Sequence, residues 1–378
     1  MVSVPGAGHV NPLLPLVEAL LAGGDRVVVC AGNDPGGAVA RSGAEFRTVG
    51  HGEMDWFRVL QGRVRGAPGD GLAPERINHY FFPRLFGEIA TADMIDDVLA
   101  CGRELGPDIV LFETYALAGP LAAAVLGVPA VHHLISPMPG HDVVELADDA
   151  VSPIWRSLGQ NSPGYAGIYR GTTIEVTPSS LERQQVPAGE RLAMRPAPLP
   201  TIQPAPPSPP RVYVTLGTSF ANADVFRAAL NGLKDEPVDI VMTIGGDLDP
   251  AALAPVPTNA RVERFIPQAD LLPHCSAVVH HGGSGTMFGS LVHGLPQVVV
   301  PQGADNFING DLITRAGAGL TVGPDEVAPE SIRHAIRSVL TDPSYATAAR
   351  RIAAEMAALP SPTEMAQILQ HRFSPTIT

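Results

Sequence analysis

Two stretches of this sequence combine glycine with polar side chains in a way that suggests chemistry. One reads His280-His281-Gly282-Gly283-Ser284-Gly285-Thr286 and follows a short apolar run at residues 277–279. Glycines let backbone N–H groups approach an anion closely, and a helix that starts after them adds its positive N-terminal end. The hydroxyl groups of Ser284 and Thr286 and the ring of His281 are further hydrogen-bond donors. This stretch therefore predicts a site for a phosphate or a pyrophosphate.

The other stretch, residues 5–12, carries His9 just after an apolar run at residues 2–4. A histidine on a turn at the end of a strand is placed to take a proton from a substrate hydroxyl, and its ordinary pKa of about 6.5 suits that task. The alternative is a histidine that only caps the first helix. Residues 5–12 alone do not decide between these two roles.

The glycine stretch differs from the two best-known phosphate motifs. It is not a P-loop, because no Gly-Lys-Ser or Gly-Lys-Thr follows, and it lacks the GxGxxG order and the later acidic residue of a dinucleotide site. Its neighbours favour a ligand over a turn that serves packing alone. Residues 265–268 (FIPQ) offer a ring and backbone groups to a base, and residues 301–306 (PQGADN) offer a carboxylate and an amide to sugar hydroxyls. This order describes a nucleotide-sugar site.

Strands and helices alternate around these stretches, which predicts open α/β sheets that bind ligands at the carboxyl ends of their strands. We expect strands over residues 26–30, 108–112, 129–133, 212–216, 240–244, 277–279 and 297–300. We expect helices over residues 13–22, 88–105, 119–126, 329–340 and 343–359. Residues 50–90 are otherwise predicted to be irregular, and residues 136–171 to form a flap. The run at residues 2–4 is short for a central strand, which is compatible with further residues before Met1.

The length of 378 residues predicts two domains, because a single core rarely grows so large. Residues 195–210 read RPAPLPTIQPAPPSPP, and proline at that density forms an extended spacer. The predicted organisation is a domain over residues 1–195, a linker over 196–210 and a domain over 211–360. The segment 361–378 follows them.

Composition excludes several classes of function. The net charge is −13 and no basic cluster is visible, so we expect no nucleic-acid partner. No apolar run reaches the roughly 18 residues of a membrane helix, and no secretion signal begins the sequence. The three cysteines, Cys30, Cys101 and Cys275, lie far apart, which favours a reducing, cytoplasmic location and argues against structural zinc.

The motifs FIPQ, HHGGSGT and PQGADNFIN resemble, in order and spacing, those of the GT-B, family 1 glycosyltransferases. The resemblance covers nearly the whole chain and is strongest to the bacterial antibiotic glycosyltransferases that act on macrolides, glycopeptides and enediynes. It implies an α/β fold of two Rossmann-like domains with parallel sheets that face each other across a cleft. The C-terminal domain would hold the nucleotide sugar and the N-terminal domain the acceptor. The helix over 361–378 would pack back on the N-terminal domain.

The resemblance also assigns roles to individual residues. Phe265 corresponds to the ring that stacks on the base, and Ile266 to the position whose backbone reads it. His9 corresponds to the catalytic base, with Glu113 as its carboxylate partner where many relatives have aspartate. The remaining donor-binding positions contact the diphosphate or the sugar: Thr218, Ser219, His281, Gly283, Ser284, Gly285, Thr286, Asp305 and Asn306. Candidate acceptor contacts are Trp56, Phe57, His132 and Trp155.

Two departures from the family pattern bear on the donor. Relatives that use ribonucleotide donors commonly carry a glutamate for the ribose hydroxyls, eight residues after the phosphate-binding histidine. That position is Gly289 here, which favours a dTDP-sugar because thymidine lacks the 2′-hydroxyl. Asn306 stands where many relatives have glutamine, which fits a deoxysugar.

Together these features predict an inverting glycosyltransferase that moves a deoxysugar from a dTDP-sugar to a hydroxyl of a large natural-product aglycone. We expect a monomer or homodimer with small-molecule donor and aglycone as partners, without a cofactor or metal; Asp247 and Asp249 form a DxD that we do not assign to a metal. The alternatives are a UDP-sugar-dependent transferase, a nucleotide-sugar epimerase and a non-catalytic sugar-nucleotide-binding helper. An epimerase would form product from the donor alone. A helper would bind the donor but tolerate replacement of His9 and Glu113.

Overall fold

The computed structural model describes residues 1–64, 71–73, 76–181, 189–196, 199, 207–218, 220–246 and 248–373. The chain divides into two compact units. Unit 1 comprises Met1–Thr177, Gln184–Pro196 and Leu359–Thr378, and unit 2 comprises Pro178–Arg183 and Ala197–Ala358. Most of the predicted linker lies outside the described residues, as do Ser219 and Asp247.

Unit 1 is built on parallel strands. These are β1 (Val28–Ala31), β2 (Glu45–Thr48), β3 (Val110–Glu113), β4 (Ala130–His133), β5 (Thr172–Glu175) and β6 (Arg191–Ala193). The strands pair in the orders β1-β2 and β3-β4-β5-β6. Val2 lies between the two groups and bridges to Cys30 on one side and to Phe112 on the other. The short run at residues 2–4 is therefore central.

Helices surround this sheet. They are α1 (Ala7–Val10), α2 (Leu14–Ala22), α3 (Ala38–Ser42), α4 (Glu53–Gly62), α5 (Ile77–Phe81), a π-helical segment (Phe82–Ala90), α6 (Thr91–Leu105), α7 (Ala118–Leu126) and α8 (His141–Ser157). The prediction that residues 50–90 are irregular is wrong for the described part, because α4, α5 and the π-helical segment occupy it. The predicted flap at 136–171 is also wrong, because α8 buries a face with every fourth residue apolar, including Val143, Ala147, Val151 and Trp155.

Unit 2 has a six-stranded parallel sheet. Its strands are β7 (Arg211–Thr215), β8 (Asp239–Thr243), β9 (Ala260–Glu263), β10 (Ala277–His280), β11 (Gln297–Val299) and β12 (Gly319–Thr321). Their order is β12-β11-β10-β7-β8-β9. The chain thus builds outward from β7 in one direction through β8 and β9, and outward from β10 in the other. The loops after β7 and β10 meet at this switch point, where open α/β sheets bind ligands.

The helices of unit 2 are α9 (Ala223–Leu233), α10 (Gln268–Leu271), α11 (Ser284–Val292), α12 (Asn306–Arg315), α13 (Pro329–Thr341) and α14 (Pro343–Ala357). A last helix, α15 (Pro362–Phe373), belongs to unit 1. It packs on α2, and the side-chain amide of Gln370 donates to the Gly23 carbonyl (3.1 Å) and to Asp25 Oδ2 (2.9 Å). None of the described helices is long and apolar enough to cross a lipid bilayer.

Candidate active site

His9 lies at the carboxyl edge of the unit 1 sheet, in the helical turn α1. The turn follows Gly6, whose φ of 112° is costly for any residue with a side chain. The Gly6 carbonyl accepts from the backbone N–H of His9 at 3.1 Å. The ring of His9 packs edge-on against Tyr115, with 5.0 Å between the ring centroids, and its side chain is 19% exposed. The imidazole is thus held by the loop and an aromatic wall while part of it stays accessible.

Glu113, the last residue of β3, faces this ring. Its Oε1 lies 3.6 Å from His9 Nδ1, and its side chain is fully buried. Oε1 also accepts from the Val4 backbone N–H at 3.1 Å, and Oε2 accepts from the Tyr115 backbone N–H at 2.8 Å. These bonds compensate the burial of a carboxylate. With Nδ1 turned toward Glu113, Nε2 is the nitrogen of His9 that is available to a substrate, as in a catalytic triad.

The structure does not place all four candidate acceptor residues in one pocket. Trp56 and Trp155 are core residues, 1% and 2% exposed. The indole N–H of Trp56 donates to Asp93 Oδ2 at 2.8 Å. In this conformation neither ring presents a face to a ligand. Phe57 is half-buried and lies 5.9 Å from Phe81, ring to ring, so it remains a candidate.

His132 is a core residue as well. Its ring stacks on Phe112, with 5.2 Å between the centroids, and its Nε2 lies 3.2 Å from Thr114 Oγ1. Burial, with a smaller effect of the neighbouring His133, lowers the pKa of His132 to about 3. A neutral, fully buried imidazole of this kind supports the sheet. Its position at the end of β4 was a sequence signal for a site, but its side chain points into the core.

In unit 2 the glycine loop lies between β10 and α11, as predicted. Ser284, Gly285 and Thr286 form the first turn of α11, whose first hydrogen bond runs from the Met287 N–H to the Gly283 carbonyl at 3.0 Å. Backbone N–H groups in the first turn of a helix have no partner within the helix. The loop therefore offers a row of donors and a positive helix end to an anion.

His281 is clamped between two glycines. A Cβ atom added at Gly217 would lie 2.6 Å from His281 Cε1, and one added at Gly283 would lie 2.3 Å from its Nε2. The turn after β7, which includes Thr218, therefore touches the loop after β10 through this ring. Burial, with a smaller effect of the neighbouring His280, lowers the pKa of His281 to about 3. The ring is neutral at ordinary pH and can donate one hydrogen bond.

His280 supports the glycine loop through buried hydrogen bonds, a role that the sequence did not reveal. Its Nδ1 accepts from the Gly282 N–H at 3.1 Å, and its Nε2 donates to Gln297 Oε1 at 2.7 Å. Gln297 Nε2 in turn donates to the Met287 carbonyl at 3.2 Å. This buried chain connects β11, β10, the glycine loop and α11, and fixes the φ of +96° at Gly282.

The predicted sugar-binding pair lies at the start of α12. Asp305 Oδ2 accepts from Ser284 Oγ at 2.9 Å, so this carboxylate is held beside the glycine loop. Asn306 is 2% exposed. Its side-chain amide donates to Asp305 Oδ1 at 3.3 Å, and its Oδ1 accepts from the Gln302 N–H at 3.4 Å. In this conformation the Asn306 side chain orders the turn and does not face outward.

The predicted base-binding residues follow β9. Phe265 is 71% exposed, the largest exposure among the exposed large apolar side chains of the described residues. Ile266 is half-buried against the cluster around Leu271 and Leu272. Gln268 Nε2 donates to Thr286 Oγ1 at 2.9 Å and so links this segment to the glycine loop. An exposed ring on an anchored segment is suited to stack on a planar ligand.

Comparison with known proteins identifies similar sequences. Residues 228–371 match the family model of the erythromycin biosynthesis protein CIII-like C-terminal domain. The chain is 32% identical over 379 residues to the L-demethylnoviosyl transferase of Streptomyces niveus, covering 97% of this chain and 96% of that protein. It is 31% identical over 409 residues to the aclacinomycin-T 2-deoxy-L-fucose transferase of Streptomyces galilaeus, covering 96% and 93%.

A solved structure gives the same result for the fold. The glycosyltransferase SsfS6 of Streptomyces sp. SF2575, determined in complex with thymidine diphosphate, superposes with a TM-score of 0.78. It is 29% identical in sequence, and the match covers 98% of both chains. The protein therefore belongs to the antibiotic glycosyltransferases of the GT-B fold, family 1.

Proposed function

We propose that this glycosyltransferase transfers a deoxysugar from a dTDP-sugar to a hydroxyl of a polyketide or related natural-product aglycone, with inversion at the anomeric carbon. The observation that carries the catalytic part is the pair His9–Glu113, because donor binding alone would suit any nucleotide-sugar protein. A partly accessible histidine held 3.6 Å from a buried, doubly anchored carboxylate is built to accept a proton and to stabilise the charge that results.

The proposed reaction is a single displacement. His9 Nε2 takes the proton of the acceptor hydroxyl as its oxygen attacks the anomeric carbon, and the bond to the nucleotide diphosphate breaks. The leaving diphosphate is stabilised by the N–H groups of the glycine loop, the N-terminus of α11 and the neutral ring of His281. These donors are preorganised, so they stabilise developing charge without rearrangement. No metal ion is invoked.

Two observations support thymidine diphosphate as the carrier. SsfS6, a relative over nearly its whole length, was solved with thymidine diphosphate. Gly289 stands where a ribose-binding glutamate would be expected, and a Cβ atom there would lie 3.2 Å from Leu272 Cδ1 and 3.7 Å from Gln268 Oε1. A side chain at this position would thus point toward the segment that follows Phe265. Its absence removes a partner for a 2′-hydroxyl.

The deoxysugar and the aglycone are inferred from relatives. One is named for 2-deoxy-L-fucose and aclacinomycin, and another for a demethylnoviosyl group.

Calorimetric titration of the full chain with dTDP and with UDP tests the donor assignment. We expect dTDP to bind at least as tightly as UDP, and a clear preference for UDP would contradict it. Incubation with dTDP-glucose alone, followed by NMR, tests the epimerase alternative. Conversion of the sugar without an acceptor would favour that enzyme class, whereas transfer to an added aglycone, with inverted configuration, would support the proposal.

A further inference from the structure

Asn309 lies on α12, one helical turn after Asp305, and is completely buried. Its side-chain Nδ2 is within hydrogen-bond distance of the Gly282 carbonyl (2.7 Å), Ser284 Oγ (2.9 Å) and Asp305 Oδ2 (3.2 Å). A carbonyl and a carboxylate can only accept. The amide must therefore turn its nitrogen, and not its oxygen, toward this cluster.

The three partners belong to two different parts of the donor site. Gly282 and Ser284 lie in the glycine loop, and Asp305 lies in the turn before α12. Ser284 Oγ also donates to Asp305 Oδ2, so the hydroxyl proton is committed to the carboxylate. In this arrangement the backbone N–H of Ser284 is the group that it can offer to a diphosphate. Its side chain serves as a link between the loop and Asp305.

We propose that Asn309 is a positioning residue that couples the diphosphate loop to the sugar-binding carboxylate. This inference rests on the proposed function, since it takes the glycine loop and Asp305 as parts of one nucleotide-sugar site. Asn309 itself touches no substrate. It fixes the orientation of the Asp305 carboxylate and the position of the Gly282 peptide at the same time. A substitution at Asn309 is therefore expected to lower the affinity for the whole nucleotide sugar.

The chain offers a matched control in Asn259. Its Nδ2 donates to three backbone carbonyls, those of Leu233 (3.0 Å), Glu236 (3.4 Å) and Val238 (3.1 Å). Asn259 is therefore an asparagine of the same unit whose amide also donates to several acceptors. Its acceptors are backbone carbonyls outside the proposed nucleotide-sugar site. If the amide only stabilises the fold, variants at Asn309 and at Asn259 should have the same effect. If Asn309 couples the two parts of the nucleotide-sugar site, only its variants should lower the affinity for the nucleotide sugar.

The decisive variant is Asn309→Asp, which keeps the shape of the side chain and removes both of its N–H groups. The new carboxylate would lie about 3 Å from that of Asp305, the distance now spanned by the amide. Repulsion between two carboxylates so close raises the pKa of one of them, so the pair takes up a shared proton as the pH is lowered. The histidines of the adjoining glycine loop, His280 and His281, have pKa values of about 4 and about 3 and are therefore neutral above pH 5. Protonation of this carboxylate pair restores one O–H donor, so the defect should be reversed by acid.

The measurement is the affinity of the full chain for dTDP-glucose at pH 8 and pH 5.5. This probe is chosen because, unlike dTDP, it has no terminal phosphate that titrates near pH 6. We expect Asn309→Asp to weaken binding about tenfold at pH 8, the usual worth of a hydrogen bond, and to regain most of the loss at pH 5.5. Asn259→Asp should change the affinity less than about twofold at either pH.

Asn309→Ala provides a second route if the aspartate variant does not fold. It should weaken binding at both pH values without recovery in acid. The proposal is overturned if variants at Asn309 bind dTDP-glucose within about twofold of the wild type, or if Asn259→Asp shows the same loss and the same recovery. Failure of the wild type to bind dTDP or dTDP-glucose would instead refute the proposed function.

Discussion

Glu113 shows at the residue scale how a chain keeps a charge inside a protein. A buried carboxylate is costly unless each oxygen is hydrogen-bonded, and here two backbone N–H groups supply those bonds. The same bonds fix the direction of the carboxylate toward His9. The His9–Glu113 pair is therefore held by the sheet itself, because Val4 ends the central run of residues 2–4 and Tyr115 follows the end of β3.

Replacement of His9 by alanine should lower kcat by roughly 10²–10⁴-fold, the usual contribution of a general base. Calorimetry should find dTDP binding unchanged, since the diphosphate loop belongs to unit 2. Glu113→Gln should also lower kcat, because a neutral amide does not stabilise the imidazolium. Near-normal turnover in His9→Ala would remove His9 from the mechanism.

Phe265→Ala should weaken dTDP binding by roughly tenfold, in keeping with the usual strength of stacking between a base and an aromatic ring. The melting temperature should stay unchanged, because the ring is 71% exposed. Val256→Ala, at another exposed apolar residue of unit 2, is the control and should alter neither property. An unchanged affinity in Phe265→Ala would show that this ring is not a base platform.

At the scale of elements, the donor site is a consequence of strand order. The loops after β7 and β10 adjoin because β7 and β10 are neighbours in the sheet. Their contact is made by His281 against Gly217, whose φ is +74°. Glycine is required there for two reasons, the backbone conformation and the lack of space for a Cβ atom.

Gly217→Ala should therefore weaken dTDP binding by at least about tenfold and lower the melting temperature, because His281 must shift. Gly246→Ala is the matched control, since a Cβ atom at Gly246 would meet nothing within 4 Å. Titration and thermal unfolding of the two variants check this. Equal behaviour of the two would contradict the proposed clamp.

The elements that carry the donor site could be predicted because buried parallel strands are short apolar runs ended by glycine or proline. The helix α8 was missed because Pro153, which lies inside it, suggests a break, although its apolar residues Val143, Ala147 and Val151 recur at the helical interval of four. Asn309 could not be found from spacing, because its role depends on its distance to the Gly282 carbonyl, which the fold alone creates.

At the scale of the whole molecule, both units bury neutral histidines. Burial lowers the pKa to about 3 for His132 and His281 and to about 4 for His133 and His280. An unfolded histidine has a pKa of about 6.5, so between these values the unfolded chain binds more protons. The stability that these residues contribute is thus complete above pH 6.5 and is lost as the pH falls below it.

We expect the melting temperature to be constant from pH 7.5 to about 6.5 and to fall steadily from there to pH 5, as followed by circular dichroism. The His280→Asn variant should reduce this fall, because it removes one such group while keeping an acceptor for the Gly282 N–H. His334→Gln, at an exposed histidine, should leave the fall as it is. A melting temperature that does not change down to pH 5 would contradict the assignment of these rings as neutral.

The position of α15 has a consequence for the order of folding on the ribosome. Gln370 of α15 binds the Gly23 carbonyl, 347 residues earlier in the sequence. The described strands of unit 2, β7 to β12, lie between Gly23 and α15 in the sequence. Unit 2 can therefore assemble while α2 still lacks its cover, and the half of the protein that is synthesised first is the half that is completed last.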